Sequence, residues 1–233
     1  ELLQKEGGKA PYSTKAIREA VKRCITLEYG EVSDITPDMR LTLLNAGHIL
    51  GSAIIHIHIG EGMHNVVYTG DFKFERTSLF DPASYNFQRC ETLITESTYG
   101  IDKMPRRQEA EANLMRMVNE TVEKRGKVLI PVFAVGRAQD VMVILAKNNF
   151  EYPVYLDGML WDALAIHTAY PEYLSRELQR MIFKENFNPF LAEIFKRVGS
   201  PSERKDVIES QDPCVILATS GMLTGGPAIE YLK

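Results

Sequence analysis

The sequence predicts an α/β protein in two parts, because two patterns of short apolar segments follow each other along the chain. From about residue 40, apolar strands are joined by tight turns, which is typical of a hairpin-rich sheet in an α+β sandwich. After about residue 100, strands alternate with helices, which is typical of a mainly parallel sheet. The chain has 233 residues, 45% of them hydrophobic and 25% charged, enough for one large or two modest domains. We therefore predict one part over residues 1–100 and another over 101–233.

The first part begins with a helix and continues as strands. In YSTKAIREAVKRC, apolar residues recur at helical spacing behind a cap at Ser13 or Thr14. The strand patterns that follow are RLTLLNAG, SAIIHIHIG and NVVYTGD. Gly60-Glu61-Gly62 is predicted to form a hairpin turn between the last two.

The second part is predicted to alternate helix and strand after the segment ETLITESTYG. A helix from Glu109 to Arg125 is expected to be closed by Gly126 in a left-handed conformation. The strand KVLIPVFAV, a helix over about 138–147, the strand PVYLDG and a long helical region to about Lys184 come next. The segment SPSERKD has the serine and glutamate of a capping box, and its helix precedes the strand CVILATSG.

Composition argues against several classes of protein. A net charge of -4 and a pI near 5.8 are evidence against binding nucleic acid through overall charge, although local basic clusters can still bind it. The longest apolar run, VLIPVFAVG, is interrupted by Pro131 and is far shorter than the roughly 20 residues of a membrane span. We expect no membrane association and no targeting segment. Cys24, Cys90 and Cys214 lie far apart and are predicted to be reduced, buried thiols in the cytoplasm.

The stretch LLNAGHILGSAIIHIHIG contains three histidines, and two of them have a structural interpretation. His56 and His58 share one face of a strand and could bind one metal ion, but nothing nearby supplies the remaining ligands of a zinc site. They are predicted to be polar positions on the less buried face, and His64 is interpreted in the same way. His48 differs, because it lies in a loop among small residues that allow close packing around an ion or a phosphate.

His48 has two candidate partners at the ends of other strands. Asp71 in VVYTGDF and Glu96 in TLITESTYG each directly follow an apolar strand, as His48 does. Side chains at strand ends commonly project onto a shared rim of a sheet, so these three predict a partial metal and acid/base cluster. Taken singly, each has a simpler explanation: a lone histidine, a turn aspartate, and a capping or solvated glutamate.

Two turns of the second part are candidates for binding phosphate. AVGRAQD follows a strand and opens a helix, so that its N–H groups and Arg137 could face a nucleic-acid phosphate. An arginine that braces a helix start explains this motif equally well. Ser220 and Gly221 lie at a similar turn, with the same alternative. A nucleotide-binding α/β domain is disfavoured, because the Gly-Lys-Ser/Thr loop is absent.

Five segments in order, AGHILGSA, YTGDF, ESTYG, IPVFAVGRAQ and TSGML, resemble the metallo-β-lactamase nucleases with an inserted β-CASP domain. Within that family, these segments most resemble the archaeal homologues of the cleavage and polyadenylation specificity factor endonuclease. The resemblance covers nearly the whole chain. It implies part of a metallo-β-lactamase αββα sandwich over 1–100. Over 101–233 it implies most of a β-CASP domain with a mainly parallel sheet flanked by helices.

The same resemblance implies roles for the clustered residues. His48 would bind zinc, Asp71 would bridge two zinc ions, and Glu96 would support a histidine that acts as general acid. The family's main signature, His-x-His-x-Asp-His, is not matched, since the Asp-His is missing after His58. We therefore expect a fragment with an incomplete zinc site that is inactive alone, its signature preceding Glu1 and further histidines following the last residue.

The function implied by the resemblance is zinc-dependent hydrolysis of single-stranded RNA. The reaction would serve RNA 3′-end processing, transcription termination or decay, by internal cleavage with 5′→3′ exonuclease activity as an addition. The expected location is the cytoplasm, and a second copy or processing-complex subunits are further expected partners. Two alternatives stay open: a catalytically inactive RNA-binding scaffold, and a β-CASP nuclease directed at DNA.

Overall fold

The computed structural model describes residues 11–232, which form two β-sheets and their flanking helices. The first sheet has the strand order β1-β2-β3-β4-β5 and the second has the order β6-β9-β7-β8. The strands are β1 (Val32–Thr36), β2 (Met39–Asn45), β3 (Ala53–Ile59), β4 (His64–Tyr68), β5 (Thr92–Ile94), β6 (Lys127–Pro131), β7 (Val154–Asp157), β8 (Phe195–Val198) and β9 (Cys214–Ala218). The helices are α1 (Thr14–Lys22), α2 (Arg107–Glu123), α3 (Arg137–Lys147), α4 (Leu160–Ala169), α5 (Arg176–Phe183), α6 (Pro201–Glu209) and α7 (Pro227–Glu230).

The first sheet brings three strand ends to one edge. β1 to β4 pair antiparallel in chain order, and β5 is added parallel to β4. Because β2 and β4 are both antiparallel to β3, they run in the same direction, and β5 runs with them. The carboxyl ends of β2, β4 and β5 therefore lie at the same edge of the sheet.

The buried face of the first sheet is the face that carries His56. Ile54 is 1% exposed, Val67 is fully buried, and His56 is only 5% exposed, whereas the alternate isoleucines of β3 are half-buried. The prediction that His56 and His58 lie on the less buried face is therefore wrong for this strand. The His56 ring packs edge-on against Phe87, and its Nε2 lies 2.9 Å from the carbonyl oxygen of Arg89. A histidine satisfied in this way can belong to a core.

The predicted first helix is present and has an exposed apolar side. Ser13 caps α1 by accepting a hydrogen bond from the backbone N–H of Ala16 at 3.2 Å, as its sequence position predicts. No residue of α1 is buried against the described part of the chain, and the side chains of Ile17 and Val21 are 48% and 66% exposed.

The second sheet is entirely parallel, as the alternation of strand and helix predicts. β9 lies between β6 and β7, and every one of its five residues is buried. α3 packs on this sheet with a nearly continuous buried sequence, including Met142 and Leu145 with no exposed surface. This helix and β9 form the centre of the main hydrophobic core. The carboxyl ends of β6, β7 and β9 all lie at one edge of the sheet.

Several local predictions are corrected. The left-handed residue that closes α2 is Arg125, with φ of 61°, and not Gly126. The N–H of Gly126, the next residue, donates a hydrogen bond to the carbonyl oxygen of Thr121 at 2.8 Å. A methyl group at Gly126 would come within 2.8 Å of the Thr121 side chain, so the glycine is needed for space. The long helical region is instead two helices, α4 and α5, separated by a 3-10 turn that starts at Pro171.

The predictions for the cysteines are correct in part. All three cysteines are free, so no disulfide joins them. Cys214 is buried in β9, but Cys24 and Cys90 are exposed, contrary to prediction. Strands β1 and β8 were not predicted from the sequence. None of the helices in residues 11–232 is both long and apolar enough to cross a bilayer.

Candidate functional site

His48 lies in a tight loop at the carboxyl end of β2. Gly47 precedes it with φ of 66°, in the left-handed region that favours glycine. The hydroxyl oxygen of Ser52 accepts the backbone N–H groups of His48 and Ile49, both at 3.2 Å. The loop is thus fixed through its backbone, which leaves the exposed imidazole of His48 free to bind a ligand.

Asp71 and Glu96 reach the same edge from β4 and β5. The Nε2 atom of His48 lies 3.8 Å from Oδ2 of Asp71. The N–H of Thr69, just after β4, donates to the carbonyl of Ile94 at 3.0 Å and carries the parallel pairing to the start of the Glu96 loop. The structure therefore places the three predicted residues at one edge, with Asp71 exposed and Glu96 partly buried.

The carboxyl group of Glu96 is stabilised in its ionised form. The side chain and the backbone N–H of Thr98, the latter at 2.8 Å from Oε2, lower the pKa of Glu96 below its ordinary value of 4.5. Burial raises the pKa of Glu96 by less than the Thr98 hydrogen bonds lower it, and the backbone of Phe72 and the charge of His48 add still smaller lowering effects. Glu96 is therefore suited to accept a hydrogen bond or to orient a cationic partner, and not to donate a proton at neutral pH.

The pair of His48 and Asp71 fits part of a zinc site. An imidazole nitrogen and a carboxylate oxygen are both ordinary zinc ligands. In the described residues, however, no group of three His, Cys, Asp or Glu side chains is arranged to hold a metal ion. The other histidines of the first sheet are engaged elsewhere: Nδ1 of His58 lies 2.6 Å from Asn65, and Nε2 of His64 lies 2.9 Å from Thr92.

The turn before α3 packs directly against the His48 loop. Gly136 has φ of 84°, and a methyl group there would lie 2.8 Å from Cγ2 of Ile49 and 3.9 Å from the carbonyl oxygen of His48. The side-chain oxygen of Gln139 accepts the N–H of Gly136 at 2.8 Å, and its amide donates to the carbonyl of Ala134 at 3.0 Å. Gln139 has no exposed surface, so it fixes this turn from inside the protein. Gln139 was not predicted from the sequence, although glutamine at the third helical position is a recognisable capping signal.

Arg137, the first residue of α3, is exposed and forms no ion pair with any other residue between 11 and 232. The neighbouring acidic residue of the same helical turn, Asp140, is instead paired with Arg107, whose Nη2 lies 2.7 Å from Oδ1. The charge of Arg137 is therefore not neutralised locally. An exposed arginine of this kind fits both interpretations, an anion ligand and an arginine at the helix start.

Ser220 and Gly221 form a second turn beside the first one. A methyl group at Gly221 would lie 3.0 Å from the carbonyl carbon of Val132 and 3.1 Å from the nitrogen of Phe133. The Ser220 hydroxyl accepts the N–H of Met222 at 3.3 Å and lies 3.3 Å from the Thr224 hydroxyl. The hydroxyl therefore has local partners, and the phosphate-binding prediction for Ser220 and Gly221 depends on their position at the strand ends.

A contact that the sequence did not suggest links the His48 loop to the segment after α4. The hydroxyl of Tyr29 donates to the carbonyl of Ser52 at 2.8 Å, and its ring packs edge-on against Tyr173 with centroids 5.8 Å apart. The Tyr173 hydroxyl donates to Glu28 at 2.6 Å, and this bond raises the pKa of Tyr173 to about 12. The His48 loop is thus contacted by Gly136, in the turn before α3, and by Tyr29.

Comparisons with known proteins agree with this arrangement. Residues 138–233 match the Beta-Casp domain family. The whole chain is similar to the transcription termination factor FttA of several archaea: it is 59% identical over 239 residues to that of Methanocaldococcus jannaschii, 56% over 239 residues to that of Pyrococcus horikoshii, and 49% over 240 residues to that of Lokiarchaeum sp.. All of the chain is aligned in each case, but it spans only 38%, 37% and 38% of the length of these relatives.

The matches extend over both sheets of the described structure. The alignments include the first sheet, which carries His48, Asp71 and Glu96, and the second sheet, which carries Arg137. The mixed α/β architecture, with one mainly antiparallel and one parallel sheet, agrees with part of a metallo-β-lactamase fold followed by a β-CASP domain. Residues 138–233 therefore form a β-CASP domain, and the chain along its whole length is similar to part of the archaeal FttA relatives.

Proposed function

We propose that the protein containing this chain is a zinc-dependent ribonuclease that cleaves single-stranded RNA in transcription termination or 3′-end processing. The observation that carries this proposal is the meeting of His48, Asp71 and Glu96 at one sheet edge, with the Gly136–Arg137 turn packed against the same loop. The role in termination is supported by relatives that are named transcription termination factors. We place the reaction in the cytoplasm.

Each residue of the cluster has a distinct part in this proposal. His48 and Asp71 would hold zinc together with ligands from elsewhere in the full-length protein, and Asp71 would bridge two ions. Bound zinc would supply a neutral-pH nucleophile and would stabilise charge on the phosphodiester. Glu96, ionised through Thr98, would orient a histidine that protonates the leaving ribose oxygen. Arg137, with Ser220 and Gly221 beside it, would bind a phosphate of the RNA.

We also propose a boundary near Gly100 between a metallo-β-lactamase part and the β-CASP part. β5 ends at Ile94 and α2 begins at Arg107, so this boundary would fall in the connection between the first sheet and the helices of the second. Internal cleavage with 5′→3′ trimming as an addition is the proposed mode of action. A circular RNA, which has no 5′ end, separates the two modes, because only internal cleavage can open it.

A second candidate is an RNA-binding scaffold without catalysis. It is favoured by one observation, namely that residues 11–232 contain no third side chain to complete a metal site. The first test is therefore metal analysis. The 233-residue chain alone should bind zinc weakly and cut no RNA, whereas the full-length protein should retain two zinc ions and cut RNA. A full-length protein that binds RNA but retains no zinc would favour the scaffold.

Two substitutions in the full-length protein separate the proposed roles of the carboxylates. Asp71→Asn should lose zinc and activity together, since a neutral amide is a poor bridge between two cations. Glu96→Gln should keep its zinc but cleave ordinary RNA roughly 10²–10⁴-fold more slowly, the usual contribution of general acid catalysis. A substrate with sulfur in place of the leaving 3′ oxygen needs no proton at the leaving group. On that substrate Glu96→Gln should approach the parent rate. Equal defects on both substrates would show that Glu96 has only a structural role.

The role of Arg137 is tested by the salt dependence of RNA binding. Arg137→Ala should weaken binding and lower the slope of log affinity against log salt, because one phosphate contact fewer releases fewer counterions. Arg116→Ala on the exposed side of α2, where the arginine pairs with Glu120 at 3.0 Å, is the matched control and should leave the slope unchanged. An unchanged slope with intact affinity for Arg137→Ala would assign this arginine to the helix start alone.

A further inference from the structure

Apolar side chains are exposed beside the candidate site, in the two loops that follow β6 and β9. They are Phe133 at 57%, Val135 at 42%, Met222 at 72% and Leu223 at 40% exposure, and together we call them the apolar rim. None of these four side chains is buried by other residues between 11 and 232. Clustered apolar exposure of this kind is typical of a binding surface, whereas single exposed residues are common anywhere on a protein.

Strand pairing holds the two halves of the apolar rim together. β6 and β9 are parallel neighbours, and the ladder continues past them where the N–H of Val132 donates to the carbonyl of Ala218 at 3.0 Å. A methyl group at Gly221 would lie 3.4 Å from Cδ2 of Phe133. Because Gly221 has no side chain, its loop can approach the ring of Phe133 closely. The ring is therefore held on a rigid backbone while more than half of it faces outward.

The apolar rim adjoins the candidate site and an unneutralised cation. Phe133 and Gly136 belong to the same loop, and Gly136 contacts Ile49 next to His48. Arg137 follows directly and has no ion pair in the described part of the chain. An exposed aromatic ring next to a cation suits a ligand in which flat apolar groups alternate with negatively charged groups. Single-stranded nucleic acid has this chemistry, since each base can stack on a ring while its phosphate meets an arginine.

We propose that Phe133, supported by Met222, stacks one unpaired base of the RNA next to the scissile phosphate, with Arg137 binding the adjoining phosphate. This inference rests on the proposed function, because it names how that site holds its substrate. The Met222 side chain is flexible and can adjust to the position of the base, and its polarisable thioether makes favourable contacts with aromatic rings. A base within a duplex already stacks on its neighbours, so the apolar rim would select unpaired RNA.

The test is RNA binding by the full-length, zinc-loaded protein, carried out in the slowly cleaving Glu96→Gln background. Phe133→Ala should weaken the binding of a single-stranded oligonucleotide about 5- to 150-fold, the range for loss of one stacked base. The salt slope should stay unchanged, which distinguishes this variant from Arg137→Ala. Phe133→Trp should bind at least as tightly as the parent. Phe183→Ala, which removes a phenylalanine that is 63% exposed at the end of α5, is the matched control and should bind normally.

Oligonucleotides with a single abasic position provide the decisive comparison. At one position along the oligonucleotide, removal of the base should weaken binding to the parent protein as much as Phe133→Ala does. Removal of the same base should not weaken binding to the Phe133→Ala protein any further. Normal binding by Phe133→Ala, or abasic losses that simply add to the loss caused by the substitution, would overturn the inference. So would a change in oligomeric mass with RNA affinity intact, since the apolar rim would then be a protein interface.

The outcome also separates this inference from the proposed function. If the parent cleaves RNA and Phe133→Ala binds RNA as tightly as the parent, the stacking site is wrong and the ribonuclease assignment stands. If the parent neither binds nor cleaves RNA, both are wrong.

Discussion

Gly47 should be irreplaceable for steric reasons, and a second glycine in the same loop provides the control. Gly47 and Gly51 both have positive φ, 66° and 80° respectively. A methyl group at Gly47 would lie 2.8 Å from the nitrogen of Ala83 and from the carbonyl oxygen of Lys73, and 2.9 Å from the carbonyl oxygen of Asp81. At Gly51 it would meet nothing within 4 Å. The two positions thus share backbone strain and differ in the space around them.

The magnitudes follow from this difference. An alanine in the left-handed region loses about 1–2 kcal/mol of stability, and both variants incur that loss. The atoms around Gly47 belong to backbone that is itself hydrogen-bonded, since the N–H of Ala83 donates to the carbonyl of Lys73 at 2.8 Å. They cannot move aside easily, so overpacking adds about 1–3 kcal/mol. We expect a loss of about 2–5 kcal/mol for Gly47→Ala and about 1–2 kcal/mol for Gly51→Ala.

Urea unfolding of the two variants and the parent measures this directly. The unfolding midpoint of Gly47→Ala should fall further than that of Gly51→Ala, with the dependence on urea concentration unchanged. In the full-length protein, Gly47→Ala should also hold zinc less tightly, because its loop must shift and His48 shifts with it. Equal midpoints for the two variants would refute the argument, since they would show that the backbone around Gly47 yields without a penalty.

Three other substitutions test features of the structure away from this loop. Arg204 forms two hydrogen bonds, of 2.7 and 3.0 Å, with the carboxylate of Asp157, which is only 2% exposed. Arg204→Leu should therefore lower the free energy of unfolding by about 3–5 kcal/mol, because it leaves this buried carboxylate without its cation. A double variant that adds Asp157→Asn should recover part of the loss. Burial lowers the pKa of His167 below 6.5, so its contribution to stability should be complete above that pH and decline as the pH falls below it. His167→Asn should flatten this decline when urea unfolding is measured at several pH values, and an unchanged decline would show that His167 does not cause it. Tyr29→Phe should reduce stability by about 0.5–1.5 kcal/mol, measured by urea unfolding, through loss of its bond to the His48 loop, and an unchanged midpoint would show that this bond is not needed.

Local sequence patterns predicted most of the elements, because most of them follow from period and capping. The helix behind Ser13 and the parallel strands were identified for these reasons, and so was the Ser200 cap, whose hydroxyl accepts the N–H of Glu203 at 3.2 Å. β1 was missed because four of its five residues are exposed, and β8 because two of its four residues are exposed and charged. In such strands neighbouring strands decide the structure, and that information is not local.

The candidate site was partly predictable for a similar reason. Strand direction places His48 and Asp71 together, and the sequence shows both residues at strand ends. The face of β3 that carries His56 was wrongly predicted to be the less buried one. Isoleucines lie on both faces of this strand, so the sequence pattern alone does not identify the buried face. The contact of Tyr29 with Tyr173 joins residues far apart in the chain and leaves no sequence signal.

The place of β9 in the second sheet determines the order in which that sheet can form. β9 is the last of its four strands along the chain, yet it separates β6 from β7 and pairs with both. During synthesis, β6, β7 and β8 therefore emerge before the strand that joins β6 to the others, and β6 must wait for nearly ninety residues (from 127 to 214) without its partner. The first sheet has no such delay, because its first four strands pair with their neighbours in chain order. The edge that carries His48 and Asp71 can thus be complete while the loop that carries Arg137 still lacks the strand beside it. A ribosome-bound chain that ends before Cys214 should already protect the amides of β3 from exchange and leave those of β6 unprotected.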